Sequence, residues 1–572
     1  MPVVFSYNLG YNVQLNLLNL LISYYHGKFM AYSYSLVSLF PPLLVLTLGY
    51  LTHRLILSLL AGILLAALLI SNFAILPSLD IIASTLWSTL EFNTFFSSSN
   101  FWDTWNLFIC IFLLILGIFV TMLQVSGGAY AYGIFARRKI RNAKNAESAA
   151  LVLSGGLFVD DYLSCLTVGS VMYPLTDTQR VPRAKLAYLV DSMSAPLAIL
   201  CPFSSWVAAI MGFLRDNGVN ENISATTLIV ANPLTTFLNT IPYIFYSFIL
   251  VASTLFIVRA RISYGIMKRH EDIAHETGNL FGGKAHPLHH KKAQEHNPQH
   301  TTLLEFFLPM LILLMSVISG ILYSGRWSGF GGNNSLISAC QTSSAAVGLF
   351  IGGIITLIVC TSFFIMRGRI TVNKIPNIYW QGVKLMAPAV AVLMLAWSLG
   401  DLLRVLQTGE YLAHLMLGSV NVTLLPMILF FTGAIISFTI GTSWGTAAML
   451  FPIAIPLILS MTNAPAHPTL DQIPIFFPAL GAVLSGCIAG SHTSPIADTT
   501  IMASLSTGAN LKDHICTQLQ YALPGIFVTG LAFYVSGYLL PYGNIITIFI
   551  PIATAILVNM LILWVLNKNT AE

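Results

Sequence analysis

Long apolar runs separated by short polar loops dominate the chain. A helix that crosses a bilayer needs about 20 mostly apolar residues. Runs at 36–50, 55–76, 104–124, 236–258, 305–324, 346–366, 385–404, 515–540 and 544–566 predict such helices. Four further apolar stretches have another texture. Residues 147–175 and 427–458 are rich in Gly, Ser and Thr, and residues 186–214 and 474–507 are interrupted near their middles by Ser, Thr and Pro. The first two predict re-entrant hairpins and the second two predict broken helices.

Composition agrees with a membrane protein. Of 572 residues, 56% are hydrophobic and 8% charged, and the mean hydropathy is +0.79. Soluble domains carry about 25% charged residues, so a fully hydrated surface is excluded. The net charge of +5 is too small and scattered to argue for a nucleic-acid partner. The seven cysteines form no CxxC pair and read as reduced, structural thiols. The first thirty residues lack the basic start and small-residue cleavage site of a secretory signal. There is no Gly-rich phosphate loop, which argues against an ATP-driven pump, and His270-Glu-Asp-Ile-Ala-His275 misses zinc-protease spacing by one residue.

Basic residues collect on the cytoplasmic side of membrane helices. Arg137, Arg138, Lys139, Arg141 and Lys144 precede 147–175, and Arg180, Arg183 and Lys185 follow it. That stretch therefore enters and leaves on one side, and it is too short for two crossings, which need about 40 residues. The loops flanking 427–458 contain no Lys or Arg, so this hairpin is expected from the opposite side. Leu123-Gln124 and Leu406-Gln407 precede the two hairpins, and Ser192-Met-Ser194-Ala-Pro196 and Ser491-His-Thr493-Ser-Pro495 fall within the two interrupted stretches. The same order in both halves predicts an all-α polytopic fold of two inverted repeats. They span 36–258 and 305–540, after an N-terminal extension over 1–35. A His-rich cytoplasmic linker over 259–304 joins them, and one extra helix over 541–572 follows. Inverted repeats with paired broken helices mark secondary transporters, whose sites lie near the bilayer midplane.

Candidate chemistry sits in the same four segments. A carboxylate at membrane depth costs about 2.5–3.5 kcal/mol even on lenient scales, so such residues usually face a cavity and work there. Asp160 and Asp161 stand at the first hairpin tip, with helix capping as the bland alternative for the pair. Asp191 precedes the expected break, where Ser192 and Ser194 offer hard oxygens. Ser491, Thr493 and Asp498 are their counterparts, and His492 adds a group that titrates near neutrality. Thr442 and Ser443 make the second tip neutral where the first is acidic. A Na+ site is expected at Asp161, Asp191 and Asp498. Ser204, Ser205 and Trp206 read as packing rather than interfacial anchoring, Asp401, Arg404 and Glu410 as a solvated helix end or salt bridge, and the seven linker histidines as part of a solvated loop, with a weak metal or pH-sensing patch as the alternative.

Phe158-Val-Asp-Asp-Tyr162, Leu166-Thr-Val-Gly-Ser170, Lys185-Leu-Ala-Tyr-Leu-Val-Asp-Ser192, Gly441-Thr-Ser-Trp-Gly-Thr446, Ser491-His-Thr-Ser-Pro-Ile-Ala-Asp-Thr-Thr500 and His514-x-x-x-Gln518 together resemble the NhaC-type sodium/proton antiporters. The resemblance covers most of 40–540. It implies a bacterial inner-membrane transporter that is not an enzyme and needs no cofactor, with Na+ and H+ as transported ions and the lipid bilayer as partner. Homodimers occur among relatives. A Na+- or H+-coupled carrier of a small carboxylate or amino acid is the alternative.

Overall fold

The computed structural model describes residues 32–569 except 53, 97–100, 128–130, 132–134, 136–139, 203, 225–226, 286–301, 342 and 417–419. Lipid offers no hydrogen bonds, so spanning backbone must pair its own N–H and C=O groups. The described residues meet this demand almost wholly with helices; the exception is a two-stranded parallel ladder, Val219–Asn220 with Ile229–Val230. Nine described helices are long and apolar enough to cross a membrane, and Arg183–Leu200 with Ser205–Asp216 forms one more segment, bent by 50°.

Several apolar runs fold differently from expectation. The run 55–76 divides into Leu55–Ile70 and Ile75–Thr89, because Asn72 and Phe73 take left-handed backbone and Ser71 and Ser78 share a 2.6 Å hydrogen bond across the turn. The run 236–258 becomes Pro233–Thr240, a short 3-10 turn at Ile241–Tyr243 containing Pro242, and Phe245–Ala260. Proline cannot donate to the helical ladder, which accounts for the interruption. The run 385–404 extends back to Ile375–Val405, with Pro376 harmless in the first turn.

Two helix pairs meet at tight turns. Ala143–Gly156 and Asp161–Thr178 form the first hairpin, and Leu425–Ile440 and Ser443–Met461 the second. The first broken helix is Arg183–Leu200 with Ser205–Asp216; the second is Phe476–Thr493 with Asp498–Thr507. The second helix breaks at Ser494–Ala497, beside the expected motif. The first does not break at Ser192–Pro196, and this corrects the expectation. Pro196 removes one ladder bond but lies inside a continuous helix. Buried neighbours cover that segment, which is the setting in which membrane helices keep a proline. The interruption comes later, between Leu200 and Ser205.

Packing joins the two halves. Trp206, Phe213, Phe430, Phe451, Phe476 and Phe533 belong to one continuous apolar core. The second broken helix lies directly on a hairpin leg: a Cβ added to Gly490 would fall 2.1 Å from the Ala434 carbonyl. Close backbone approach through small residues is how membrane helices gain contact without a hydrophobic driving force.

Part of the linker is folded, contrary to a wholly solvated loop. Gly265–Thr277 is a helix with Met267, His270, Glu271 and Ala274 buried. Its Glu271 pairs with the fully buried Lys185, which also lies 3.2 Å from Glu147; Arg261 reaches Glu147 at 2.7 Å. Lys284 reaches Asp513 at 2.5 Å. His286, His289, His290, His296 and His300 lie outside the described residues. Asp401 and Arg404 are 3.7 Å apart at their helix end.

Candidate functional site

The hairpin turns decide where the acids go. Asp160 is the N-cap of Asp161–Thr178, accepting the Leu163 N–H at 2.9 Å. The first residue inside that helix is Asp161, which therefore projects from the turn. In the second hairpin Thr442 caps Ser443–Met461 by accepting the Gly445 N–H. Gly441 precedes it with φ +79°, and a Cβ there would meet the Ile496 carbonyl at 2.7 Å. The turn thus requires glycine twice over, for its backbone conformation and for its seat against the second break. The first turn is tied likewise to its own broken helix, by the Ser205 N–H donating to the Val159 carbonyl at 2.9 Å.

These ties bring four half-helix starts to one place. Asp161, Tyr162, Gly441, Thr442, Ser443, Trp444, Ser491, Asp498 and Thr499 line one cavity with roughly the space of a single water molecule. Asp161 is 2% exposed and receives the Trp206 indole N–H at 3.2 Å on Oδ2. Asp498 is exposed at the mouth, where the Tyr162 hydroxyl donates to its Oδ2 at 3.3 Å. Trp206 and Trp444 pack with ring centroids 5.1 Å apart. Four positive helix ends are opposed here by the carboxylates of Asp160, Asp161 and Asp498.

Asp191 is elsewhere. It lies in mid-helix, nine residues before Leu200, about 13 Å of helix from the break. It is 2% exposed and accepts from Thr500 Oγ1 at 2.9 Å and Gln518 Nε2 at 2.7 Å, with His514 Nε2 3.5 Å away. Gln518 also donates to the His492 carbonyl. His492 joins this second cluster through Ser192 Oγ at 3.0 Å and Tyr246 Oη at 2.9 Å. The expected trio of Asp161, Asp191 and Asp498 is therefore divided, because the first helix breaks after the motif and not within it.

The remaining candidates separate by their hydrogen bonds. Ser194 donates to the Val190 carbonyl at 2.6 Å, and Thr493 to Ala489 and Gly490, so both hydroxyl protons serve their own helices. Thr442, Ser443 and Ser491 reach the cavity. Sequence reasoning missed Tyr162, Trp444 and Thr499 as cavity residues and took Trp206 for packing. A signal was present in the Ser-Trp dipeptide that recurs at 205–206 and 443–444. Among the described residues, no group of three or more His, Cys, Asp or Glu is arranged to hold a metal ion.

Many apolar helices, two helix breaks and one buried and one exposed carboxylate facing a small cavity fit a multi-pass membrane transporter. Residues 197–538, more than half of the chain, match the Na+/H+ antiporter family, and the chain belongs to it. A Haemophilus influenzae protein described as uncharacterized is 30% identical over 526 residues, covering 92% of this chain and 95% of its own. An uncharacterized Na+/H+ antiporter from the same organism is 30% identical over 121 residues, 20% of this chain and 23% of its own. The malate-2H+/Na+-lactate antiporter of Bacillus subtilis is 31% identical over 111 residues, 19% of this chain and 21% of its own.

Proposed function

We propose that this protein exchanges Na+ for protons across the bacterial inner membrane by alternating access. The observation that carries the reading is the convergence of Asp161 and Asp498, one from each half of the chain, on one small cavity that Thr442, Ser443 and Ser491 also line. A hard cation prefers oxygen ligands. Asp161 at the closed end and Asp498 at the mouth would hold Na+ as cargo. Na+ requires ionised carboxylates, so raising pH favours its binding and acidification favours its release. Asp191, bonded to Thr500 on the half-helix that begins with Asp498, is the second titratable centre in this scheme. Asp160 is left with the cap.

The carrier alternative lacks a partner for an organic carboxylate. None of the described residues lining the cavity is Lys or Arg. Purified protein in liposomes, with an imposed Na+ gradient and an internal pH dye, tests the proposal. Na+-driven proton movement supports it. Silence to Na+, together with thermal stabilisation only by an organic acid in the presence of Na+, would move the assignment to the carrier.

A further inference from the structure

Around Asp191 three donors face one acceptor atom. Thr500 Oγ1 at 2.9 Å, Gln518 Nε2 at 2.7 Å and His514 Nε2 at 3.5 Å all lie about its Oδ2. A carboxylate oxygen has lone pairs for two good donors, and Thr500 and Gln518 use them. His514 is left over. It is 0% exposed, and neither of its ring nitrogens has a hydrogen-bond partner. Buried polar groups without partners are rare and costly, so this imidazole implies a state in which it is paired. Neither Asp191 nor His514 lines the cavity between the hairpin tips. The titratable groups around the pair are engaged elsewhere. His492 is held by Ser192 and Tyr246, Glu271 of the linker helix by Lys185, and Asp513 by Lys284. His270 lies against Gly282, Tyr188 faces Thr254, and Cys165 of the first hairpin is buried. Among the described residues no Lys or Arg pairs with Asp191.

We propose that His514 takes up the transported proton at Nε2, and that the resulting imidazolium pairs with Asp191 in place of Thr500. This rests on the antiporter reading above. The only bond formed is N–H, and the proton comes from water and returns to it. Imidazolium and carboxylate together are neutral, which eases their burial. A charge-assisted bond is stronger than one from a neutral hydroxyl, so Thr500 yields its place on Oδ2. Gln518 stays, because its amide also donates to the His492 carbonyl. Thr500 lies two residues after Asp498 on the half-helix Asp498–Thr507. Its release frees the segment that brings Asp498 to the cavity. Proton uptake thus loosens the Na+ site, and Na+ binding, which favours the tied segment, promotes proton loss. Such reciprocal coupling is what exchange requires.

His514→Gln keeps a polar side chain but cannot carry the proton. Two rates are compared with the unaltered protein in liposomes: Na+-driven proton flux, and tracer exchange of Na+ for Na+, which needs no proton. The ratio of proton flux to tracer exchange falls at least about tenfold in His514→Gln, with tracer exchange within about twofold of the unaltered rate. A ratio within about twofold of the unaltered value overturns the proposal, whether both rates are kept or both are lost, since a merely structural role moves them together. Thr500→Val gives a second readout. It removes a competitor from Oδ2, so the proton is held more tightly, and the pH at which Na+-driven flux reaches half its maximum rises by about half a unit or more. If His514→Gln does not fold, this variant decides: an unchanged half-maximal pH overturns the proposal. Absence of Na+-driven proton flux in the unaltered protein would overturn the antiporter reading, and this proposal with it.

Discussion

The two hairpin tips share a backbone plan and differ in charge. Both begin their second helix with a side-chain cap to the N–H three residues on, from Asp160 in one and Thr442 in the other. Threonine and aspartate both serve as caps, so folding accounts for Asp160. The next residue is Asp161 in the first tip and Ser443 in the second. The second turn shows that this position needs no charge to form. Asp161 makes no such cap and faces the cavity, which makes it the acid whose burial points to function. A near-symmetric scaffold carries asymmetric chemistry.

The largest expected effect breaks the comparison at that residue. Asp161→Asn retains an oxygen to accept the Trp206 indole N–H and keeps its place in the turn, so the variant should fold. Its Na+-dependent proton flux should fall at least about a hundredfold, since an ionised group at a buried cation site is worth several kcal/mol. Near-normal flux in vesicles would take Asp161 out of the mechanism. Asp160→Asn should transport within about twofold of the unaltered protein, because asparagine caps as well as aspartate.

The turns also differ in what their backbones tolerate. Gly441→Ala puts a Cβ against the Ile496 carbonyl at positive φ. We expect a loss of about 1–3 kcal/mol in stability, read as a lower melting temperature in detergent. The first turn, Leu157–Asp160, contains no residue at positive φ, and Leu157→Ala should cost only its lost apolar contact. Thr442→Val removes a cap that is matched in size, and the cost should be about 1 kcal/mol. If Thr442→Val proved harmless, the equivalence of the two caps would fail, and with it the argument that sets Asp160 aside.

The contrast between the tips was largely legible in the sequence; the division of the acids was not. Gly-rich stretches between basic loops, and the acidic and neutral tips, are local patterns. Asp191 depended on where a helix breaks. Pro196 and Pro495 follow similar Ser-rich motifs, yet one stays helical and the other lies in the break. At the second break the Ser494 hydroxyl donates to the Phe438 carbonyl at 2.7 Å, a tertiary bond that fixes the interruption. At the first motif Ser192 turns to His492 and Ser194 to its own helix. Phe438 is 56 residues from Ser494 and His492 is 300 from Ser192, so no local pattern shows these choices. The same holds for Tyr162, whose role as a bridge to Asp498 no local spacing announces.

The smallest expected effect sharpens the comparison from the neutral side. Ser443 holds in the second tip the position that Asp161 holds in the first, and it lines the same cavity. Replacing it with alanine removes one neutral oxygen and leaves both carboxylates, the Thr442 cap and the packed Trp206–Trp444 pair in place. Losing one neutral contact is worth about 1 kcal/mol, so the apparent KM for Na+ should rise about fivefold or less, with the maximal rate little changed. The ratio of the two effects is the measurement that matters. If Ser443→Ala cost as much as Asp161→Asn, the tips would be chemically equal, and charge would not be what distinguishes them. If the alanine variant is mild and the asparagine variant is inactive, the second hairpin shapes the cavity while the first supplies its charge.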